Sequence, residues 1–273
     1  MTIVLKIGGA KAVDPAGALD DISHLSTQGE SLVIVHGGST AIDENLERMG
    51  IVPTYVETPA GVVGRFTDEP TMEVFTMTMA GSLNTNIVVK LQNLNVNAIG
   101  LSGVDGKLLS GPRKNSIRAI IDGKKKILRG DYSGKITTVN VDLIQLLLEN
   151  GYVPVISPPM MAEDGVAVNT DADRVSSSIA GSLSATLVSL TDVSGIYQDI
   201  SNPNTLLSEA KTPEQYSLLQ NASEGFMTRK LMAATDAIQQ GAKKSIIASA
   251  NEHKPLISAL NGGGTHIYPE AIL

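Results

Sequence analysis

Residues 3–9 read IVLKIGG, and residues 32–38 follow the same pattern as LVIVHGG. Each is a short run of mainly β-branched residues that ends in a glycine pair, which is typical of a buried strand followed by a tight loop. Helical patterns follow both glycine pairs, over residues 15–25 and from about 40 to 49. This repeated order of strand, glycine loop and helix predicts an α/β fold built on a largely parallel sheet.

The same alternation continues along the rest of the chain. We predict helices over residues 71–94, 142–149, 172–183 and 227–240, and strands over residues 153–156, 185–190 and 245–248. Residues 117–128 differ, because two strand-like runs flank Asp122-Gly123, a pair that favours a hairpin turn. We therefore predict an α/β sandwich with a protruding β-hairpin. In a two-lobed fold the boundary falls near Asn169, between residues 1–168 and 169–273.

The composition excludes several classes of protein. The 273 residues include no cysteine, so disulfides, thiolate catalysis and cysteine metal sites are ruled out. The four histidines lie far apart without H-E-x-x-H spacing, which argues against a resident metal such as zinc. No apolar run approaches the ~18 residues of a membrane span, and the start does not read as a signal peptide. We expect a soluble, cytoplasmic protein with no membrane partner.

Positive charge is concentrated in one segment. Residues 107–135 carry nine Lys or Arg against two Asp, a net +7, in a chain whose net charge is −7. The predicted hairpin lies in this segment and is therefore a basic protrusion on an acidic protein. Tyr132 is the only aromatic residue there, so the segment has no stacking platform and nucleic-acid binding is disfavoured. A hairpin whose cations are merely solvated is the simpler alternative.

Residues at the first two predicted strand ends suit phosphate chemistry. The pairs Gly8-Gly9 and Gly37-Gly38 would let backbone N–H groups approach an anion closely. Lys6, inside the first strand, would supply a counter-charge beside them. Each also has a structural explanation, since the glycines could form tight turns and Lys6 could face solvent on an edge strand.

Two predicted helix starts carry further candidates. Asn169, Asp171 and Asp173 alternate and would share one face of an extended segment, but Thr170-x-x-Asp173 also has the capping-box pattern. Arg229 and Lys230 enter the helix that starts near residue 227, at an end that repels cations by about 0.3–1 kcal/mol each. A bound anion would relieve this repulsion, although both side chains could point into water.

Two loops complete the candidates. Arg65, in the sequence GRFTD at 64–68, could bind a carboxylate through two N–H groups, or it could pair with Asp68. Residues 191–195, TDVSG, follow an apolar strand and would lie at the carboxyl edge of the sheet, where open α/β folds bind ligands. An ordinary loop is equally consistent with that sequence.

Together these motifs resemble the amino-acid kinase family, and within it the N-acetylglutamate kinase branch. The resemblance runs along nearly the whole chain and covers residues 6–9, 36–38, 64–68, 169–173, 191–195 and 225–230 in family order. It implies a three-layer α/β/α fold and the ATP-dependent phosphorylation of a carboxylate to an acyl phosphate. Such transfer depends on positioning and charge neutralisation more than on covalent chemistry, and the motifs are rich in suitable residues.

The resemblance also implies residue roles. Lys6 and Lys230 would neutralise the transferred phosphoryl group, and Asp173 would position both lysines. The substrate ligands would be Gly37, Gly38 and Arg65 in the N-terminal lobe, and Asn169 at the lobe boundary. The nucleotide would be held by Gly8, Gly9, Thr191, Asp192, Val193 and Met227, chiefly in the C-terminal lobe, with Mg²⁺ bridging the phosphates of ATP.

Residues 61–68, 100–106, 113–114 and 129–134 resemble one group within this branch more closely. That group phosphorylates aminoadipate or glutamate attached to the amino-group carrier protein LysW, in lysine and arginine biosynthesis. Because the carrier is small and acidic, the basic hairpin is its candidate docking site. The candidate docking residues are Arg113, Lys114, Arg118, Lys124, Lys125, Lys126 and Arg129.

The oligomeric state and two alternative functions stay open at this point. The resemblance implies a homodimer. A conventional N-acetylglutamate kinase, acting on free N-acetyl-L-glutamate, is the nearest alternative function. A non-catalytic sensor of nucleotide or amino acid is a further one, although it would not need Lys6, Asp173 and Lys230 together.

Overall fold

The computed structural model describes residues 1–9, 15–59, 61, 63–121 and 123–272. Its strands are β1 (Thr2–Ile7), β2 (Ser31–His36), β3 (Tyr55–Glu57), β4 (Val63–Arg65), β5 (Ala98–Gly103), β6 (Leu109–Gly111), β7 (Arg113–Ile121), β8 (Lys124–Gly134), β9 (Thr138–Val139), β10 (Val153–Ala162), β11 (Ala167–Val168), β12 (Thr186–Thr191), β13 (Glu209–Ala210), β14 (Lys244–Ser249) and β15 (Thr265–Ile267). Its α-helices are α1 (Ala16–Thr27), α2 (Ser39–Arg48), α3 (Glu69–Thr76), α4 (Asn84–Asn93), α5 (Val141–Glu149), α6 (Ala172–Ser182), α7 (Pro213–Ala222), α8 (Phe226–Gln239) and α9 (Pro255–Leu260). Across these ranges no helix is both long and apolar enough to cross a membrane.

The large sheet is mostly parallel, as the sequence predicts. Its order is β13-β15-β14-β12-β1-β2-β10-β6-β9, and β5 and β11 also pair with β10. Strand β1 lies between β12 and β2 and is parallel to both. It is therefore a central strand, and the edge position considered for Lys6 is wrong.

Helices cover both faces of this sheet and form the outer layers of a sandwich. On one face Ile3 and Leu5 pack with α1, α4 and α9 around residues such as Ile22. On the other face Val4 packs with α5, α6 and α8 around residues such as Ile179. Successive strand residues point to opposite faces, so strands covered on both sides must be apolar throughout. The predicted three-layer α/β/α fold is confirmed.

The helix predicted over residues 71–94 is interrupted by a π-helical segment. This segment, Met77–Leu83, lies between α3 and α4 and keeps the chain helical throughout. It packs on the second glycine loop, because a Cβ at Gly38 would lie 2.4 Å from Cδ1 of Leu83 and 2.5 Å from Sδ of Met79. A larger residue at position 38 would have to displace the ends of these two side chains, so the loop and the helix are in close contact here.

The predicted hairpin forms part of a second sheet, in the order β4-β3-β7-β8. Its strands β7 and β8 pair up to Ile121 and Lys124, so the turn falls where the sequence places it. Gly123 has φ 71°, as a two-residue hairpin turn requires, and Asp122 lies outside the described residues. The hairpin is longer than predicted and carries a register shift near its base, between Lys114 and Ser116.

The division into lobes at residue 169 stays a prediction. The sheet itself runs without a break between the two parts, because β1 and β12 form a parallel pair from Ile3↔Thr186 to Ile7↔Leu190. Any lobes therefore share one continuous sheet, and the candidate site lies along its carboxyl edge.

Candidate active site

Five candidate segments meet at one edge of the central sheet. Strands β1, β2, β12 and β14 are mutually parallel, so their carboxyl ends lie side by side. Both glycine pairs and the loop that starts at Asp192 follow these ends directly. The helix start at Asp173 and the side chain of Lys230 face the same place, as their contacts below establish. This is the edge at which open α/β sheets bind ligands.

The two glycine loops touch each other. A Cβ on Gly9 would lie 2.0 Å from the backbone nitrogen of Gly38, a distance that only a glycine at position 9 allows. The N–H of Gly8 donates to Leu190 O at 3.2 Å, and that of Gly37 donates to Ile7 O at 3.0 Å. Gly8 and Gly37 thus shape the turns. Within the described residues, the N–H groups of Gly9 and Gly38 have no such backbone partner and are the better anion donors.

Lys6 is buried in the sheet and paired. Its side chain is 8% exposed, and Nζ lies 2.7 Å from Oδ1 of Asp173. The solvent-facing alternative is therefore wrong. Burial alone would raise the pKa of Asp173, but the Lys6 ammonium, with help from Lys230 and Arg229, more than offsets this and holds the pKa below its ordinary value. Asp173 is thus a carboxylate that fixes the direction of a buried ammonium.

The start of α6 frees Asp173 for this role. Asp171 is the N-cap, and its Oδ1 accepts the N–H of Asp173 at 2.8 Å. The alternative capping box from Thr170 to Asp173 is therefore wrong. So is the extended segment, since the helix begins at Ala172 and places Asp173 in its first turn. Capping by Asp171 leaves the Asp173 carboxylate available to Lys6.

Lys230 is the second cation of the site. It is the fifth residue of α8 and is partly buried. Burial lowers its pKa, as does the nearby charge of Lys6, while Asp173, Asp192 and Asp171 act in the opposite direction. Two ammonium groups thus lie within electrostatic reach of each other around one partly buried carboxylate. An anion that arrives between them would remove their repulsion.

Arg229, the neighbour of Lys230, joins α8 to the small sheet. Its Nη2 donates to the carbonyl oxygen of Val63 at 2.6 Å. The alternative in which both cations point into water is therefore wrong for Arg229 and for the partly buried Lys230. This contact brings the helix of Lys230 to the strand that carries Arg65.

The polar partners of Arg65 differ from Asp68, the partner considered from the sequence. Its guanidinium pairs with Asp43, with Nη2 2.8 Å from Oδ1, and also donates to Tyr55 Oη at 2.9 Å and to Ser39 O at 3.0 Å. Asp68, the partner considered from sequence, instead caps α3 and accepts the N–H of Thr71. Arg65 is thus held rigidly at the start of α2, beside the second glycine loop. Neither Asp43 nor Tyr55 was identified from the sequence.

Asn169 lies between the hairpin and the loop of Arg65. Its Nδ2 donates to Oγ1 of Thr67 at 3.0 Å, and its backbone pairs with the base of the hairpin at Ser133. The residue sits two positions before the N-cap Asp171, so it is close to the start of α6. This placement suits a substrate ligand, which is the role that the resemblance implies.

A buried histidine supports the second glycine loop and received no role from the sequence. Asn84 Nδ2 lies 3.2 Å from His36 Nε2 and donates to Val155 O at 2.9 Å. Burial lowers the pKa of His36 to about 4, so the ring is neutral at pH 7. His36 immediately precedes Gly37-Gly38, and its neutral ring anchors their loop without adding charge.

The candidate nucleotide residues follow β12 and begin α8. Thr191 is buried, and its hydroxyl donates to Oδ1 of the exposed Asp192 at 2.8 Å. Val193 is half-buried beside them. Met227, the second residue of α8, packs against the apolar cluster under this end of the sheet. The loop lies at the predicted carboxyl edge, and the nucleotide roles of these residues stay predictions.

The basic segment is less uniform than its sequence implies. Arg113 is taken up in the hairpin base, because its guanidinium lies 3.6 Å over the Tyr132 ring and its Nε donates to Asp131 O at 2.9 Å. Burial and the charge of nearby Arg174 lower the pKa of Lys114, which also lies at the base. Arg113 is therefore a poor candidate for docking.

The sequence profile of the Amino acid kinase family matches residues 1–249 of this chain. The "[LysW]-aminoadipate kinase" of Deinococcus radiodurans is 39% identical over 264 residues, which are 96% of this chain and 90% of that protein. The chain belongs to the amino acid kinase family. This kinase is also 36% identical over 265 residues to the "Acetylglutamate kinase" of Methanopyrus kandleri, covering 96% of this chain and 98% of that protein.

A solved structure extends the likeness to the fold. The N-acetylglutamate synthase of Neisseria gonorrhoeae matches 98% of this kinase with a TM-score of 0.77 and 24% identity. The kinase spans 59% of that longer chain. This likeness shows the fold alone. Family membership confirms the resemblance drawn from the motifs and the prediction of a phosphotransferase, while the roles of individual residues stay predictions.

Proposed function

We propose that this kinase transfers the γ-phosphoryl group of ATP to the side-chain carboxylate of aminoadipate or glutamate attached to a small acidic carrier protein. The observation that carries the phosphotransfer is the Lys6–Asp173 pair beside Lys230 and the two contacting glycine loops. Two kinds of support favour the carrier. Relatives such as that of Deinococcus radiodurans bear the name of a LysW-linked kinase, and the basic hairpin suits an acidic partner.

In this proposal a carboxylate oxygen of the substrate attacks the γ-phosphorus, and the bond to the β-phosphate oxygen of ATP breaks. The products are an acyl phosphate and ADP. Lys6, directed by Asp173, and Lys230 meet the negative charge on the transferred group. The N–H groups of Gly9 and Gly38 would bind its oxygens. Preorganised donors of this kind are typically worth a factor of about 10²–10³ each in rate.

The remaining ligands divide between substrate and nucleotide. Arg65, held by Asp43, is placed to bind the free carboxylate of the substrate main chain, and Asn169 the amide at its linkage to the carrier. The loop 191–193 and Met227 hold the nucleotide. A homodimer, implied by the resemblance, is part of the proposal and rests on that resemblance alone.

Mg²⁺ would accompany the nucleotide. Magnesium keeps several waters and is bound by phosphate oxygens with one or two carboxylates. Asp171 and Asp192 are exposed at this edge, and the negative charge of each raises the pKa of Lys230. Their carboxylates therefore lie near the second cation of the site and fit such an ion. When bound, the ion would neutralise and orient the phosphates of ATP.

The hairpin offers the carrier one face of suitable chemistry. Residues paired directly across two antiparallel strands share a face, and the pairs Arg118↔Ile127, Ile120↔Lys125 and Ser116↔Arg129 therefore lie together. This docking face surrounds Ile127, which is 64% exposed, with three cations. The other face carries Lys124 and Lys126 around Ala119, which is fully buried. We place the carrier on the docking face.

The first test measures acyl-phosphate formation directly. Purified kinase is given ATP, Mg²⁺ and hydroxylamine, which traps acyl phosphates as hydroxamates. Aminoadipate or glutamate joined to the acidic carrier should be turned over, and free N-acetyl-L-glutamate should react at least tenfold less efficiently. Robust turnover of the free compound would instead establish an N-acetylglutamate kinase. No product with any substrate would favour the non-catalytic sensor.

The docking face is tested by charge reversal at two exposed residues of one strand. Arg129→Glu should raise KM for the carrier-linked substrate about tenfold at low salt, because attraction to an acidic partner becomes repulsion. Lys124→Glu, on the opposite face of β8, is the matched control and should change KM less than threefold. Both variants should treat a free substrate like the wild type. Equal effects of the two reversals would contradict the assignment of the docking face.

A further inference from the structure

Three chain segments are tied together at the base of the hairpin, next to the candidate substrate ligand Asn169. The N–H of Tyr132 donates to Thr67 O at 2.7 Å, and the N–H of Asn169 donates to Tyr132 O at 2.7 Å. The N–H of Gly134 completes the set by donating to Asn169 O at 2.9 Å. The hairpin, the loop of Arg65 and the lead-in to α6 thus share one junction.

An irregularity in the hairpin creates this junction. Lys114 pairs with Ser133, but Ser116 pairs with Arg129, so β8 contains more residues than β7 between the two pairs. Gly130, within the extra stretch, has φ 79°. Bulges of this kind redirect side chains and recur next to active sites. Here the bulge turns Asp131 inward, where it is 1% exposed.

The buried carboxylate of Asp131 has its partners in the junction. Oδ1 accepts the N–H of Thr67 at 3.2 Å, and Oδ2 accepts the N–H of Ser133 at 3.2 Å together with the hydroxyl of Ser133. Burying a carboxylate destabilises the fold unless its oxygens accept hydrogen bonds. The bonds to Asp131 meet this need, and they fix the backbone at Thr67 on one side of the junction and at Ser133 on the other. Thr67 in particular is held through its N–H and its carbonyl group.

Thr67 then sets the orientation of the Asn169 amide. Nδ2 of Asn169 donates to Oγ1 of Thr67, which is fully buried. This leaves Oδ1 as the atom that can accept from a ligand. The Thr67 hydroxyl donates its own proton to Arg65 O at 3.5 Å, so towards Asn169 it acts as an acceptor. Rotation of the amide by 180° would present NH₂ to the ligand and would place Oδ1 against a hydroxyl oxygen whose proton is already used. A substrate whose linkage contains an amide N–H needs the acceptor, not the donor.

We propose that Thr67 and Asp131 are positioning residues for Asn169, which make it an acceptor for the amide N–H of an N-acylated acidic amino acid. Thr67 acts through its hydroxyl, and Asp131 acts by holding Thr67. This inference rests on the proposed function for the identity of the substrate. It assigns a substrate-specificity role to two residues that touch neither substrate nor ATP.

The test compares two substitutions at one buried site. Thr67→Val removes the hydroxyl with little change of shape, and Thr67→Ser keeps the hydroxyl. We expect Thr67→Val to raise KM for the acidic substrate about tenfold, with kcat and KM for ATP within threefold of wild type. Thr67→Ser should restore KM to within threefold. A merely structural role would affect kcat, KM for ATP and KM for the acidic substrate together.

Asp131 is tested against a nearby carboxylate. Asp131→Ala should reproduce the selective rise in KM, and combining it with Thr67→Val should add less than threefold, because the two act in series. Asp164→Ala is the control, since Asp164 lies 3.8 Å from Arg113 at the same hairpin base but outside the junction. An unchanged KM in Thr67→Val, or an equal rise in Thr67→Ser, would overturn the proposal.

A spectroscopic readout separates this proposal from the proposed function. The side-chain amide protons of Asn169 should exchange with solvent about tenfold faster in Thr67→Val than in wild type, and at the wild-type rate in Asp164→Ala, by NMR. Wild-type protein without turnover on any acidic substrate would refute the proposed function. The exchange rates would still test the junction, and equal rates in Thr67→Val and wild type would refute it.

Discussion

Lys230→Ala is expected to lower kcat by a factor of about 10³ while leaving the affinity for ATP within about tenfold. The lysine is partly buried beside Lys6, and both its burial and the charge of Lys6 lower its pKa. Its ammonium is therefore poorly neutralised until negative charge develops on the transferred phosphoryl group. An interaction that strengthens in this way belongs to the transition state, so its loss falls on kcat rather than on binding.

The measurement is steady-state turnover by hydroxylamine trapping, with ATP affinity taken from calorimetry. Lys243→Ala is the matched control, because Lys243 is an exposed lysine just beyond the end of α8. It should keep wild-type kcat. Lys230→Arg should recover only part of the activity, since a planar guanidinium cannot replace a compact ammonium in a packed site. A kcat near the wild-type value in Lys230→Ala would refute the catalytic assignment.

The long elements of the fold could be predicted from sequence because their periodicity is strong. The helix predicted over 172–183 is observed as Ala172–Ser182, and the strand predicted over 185–190 as Thr186–Thr191. Strands of two or three residues, such as Val63–Arg65, are too short to show any period. They are held by their neighbours in the sheet, and the sequence does not reveal that pairing.

One longer strand was missed for a different reason. Ala98–Gly103 contains two glycines and reads as a turn, but it is a strand paired with β10. Gly100 is needed there because a Cβ would lie 2.1 Å from Oδ1 of Asn84. The glycine permits the close approach of helix α4 to this strand. Nothing in the sequence around Gly100 indicates that approach.

The candidate site likewise contains residues that could be predicted from the sequence and residues that could not. Lys6, Asp173 and Lys230 lie near strand ends or helix starts, and the family resemblance carried by the motifs implied that they act together. The partners that orient the ligands were not predicted. Asp43 reaches Arg65 from α2, and Asp131 reaches Thr67 across 64 residues of sequence. The second contact depends on the bulge in the hairpin, and no spacing rule encodes either contact.

The hairpin illustrates the limit of charge counting. The excess of basic residues predicted a basic protrusion correctly, but it could not separate cations that serve the fold from cations that face outward. Arg113 stacks on Tyr132 at the base, whereas Arg118 and Arg129 share an outer face with Ile127. That distinction needs the strand register, which shifts near the base of the hairpin and is not readable from composition.

Asp173→Asn is expected to lower kcat by a factor of about 10²–10³, because Lys6 loses the charge that directs its ammonium. The substitution keeps the shape of the side chain and one oxygen that can accept from Lys6. It also leaves a buried cation without its counter-charge, which destabilises proteins by up to about 3–5 kcal/mol when a pair is fully buried. Asp173 is 22% exposed, so we expect a smaller loss of unfolding free energy, about 1–3 kcal/mol.

The pH dependence of stability reports the same pair. The folded pKa of Asp173 lies below its ordinary value, so the carboxylate stabilises the fold at neutral pH. This contribution is fully present above the unfolded pKa and is lost as pH falls through the folded one. Asp173→Asn should therefore flatten the acid side of the stability curve. Denaturant unfolding of the wild type and of Asp173→Asn from neutral to acid pH checks this, and parallel curves for the two proteins would contradict it.

A double variant separates folding from catalysis. Replacing both charges, in Lys6→Met with Asp173→Asn, removes the unpaired cation and should recover much of the stability lost in Asp173→Asn. Activity should not recover, because the ammonium that meets the phosphoryl group is gone. Calorimetric unfolding and hydroxylamine trapping on the same samples decide the matter. If activity returned with stability, the pair would be a structural ion pair, and the phosphoryl charge would have to be met by Lys230 and the glycine N–H groups alone.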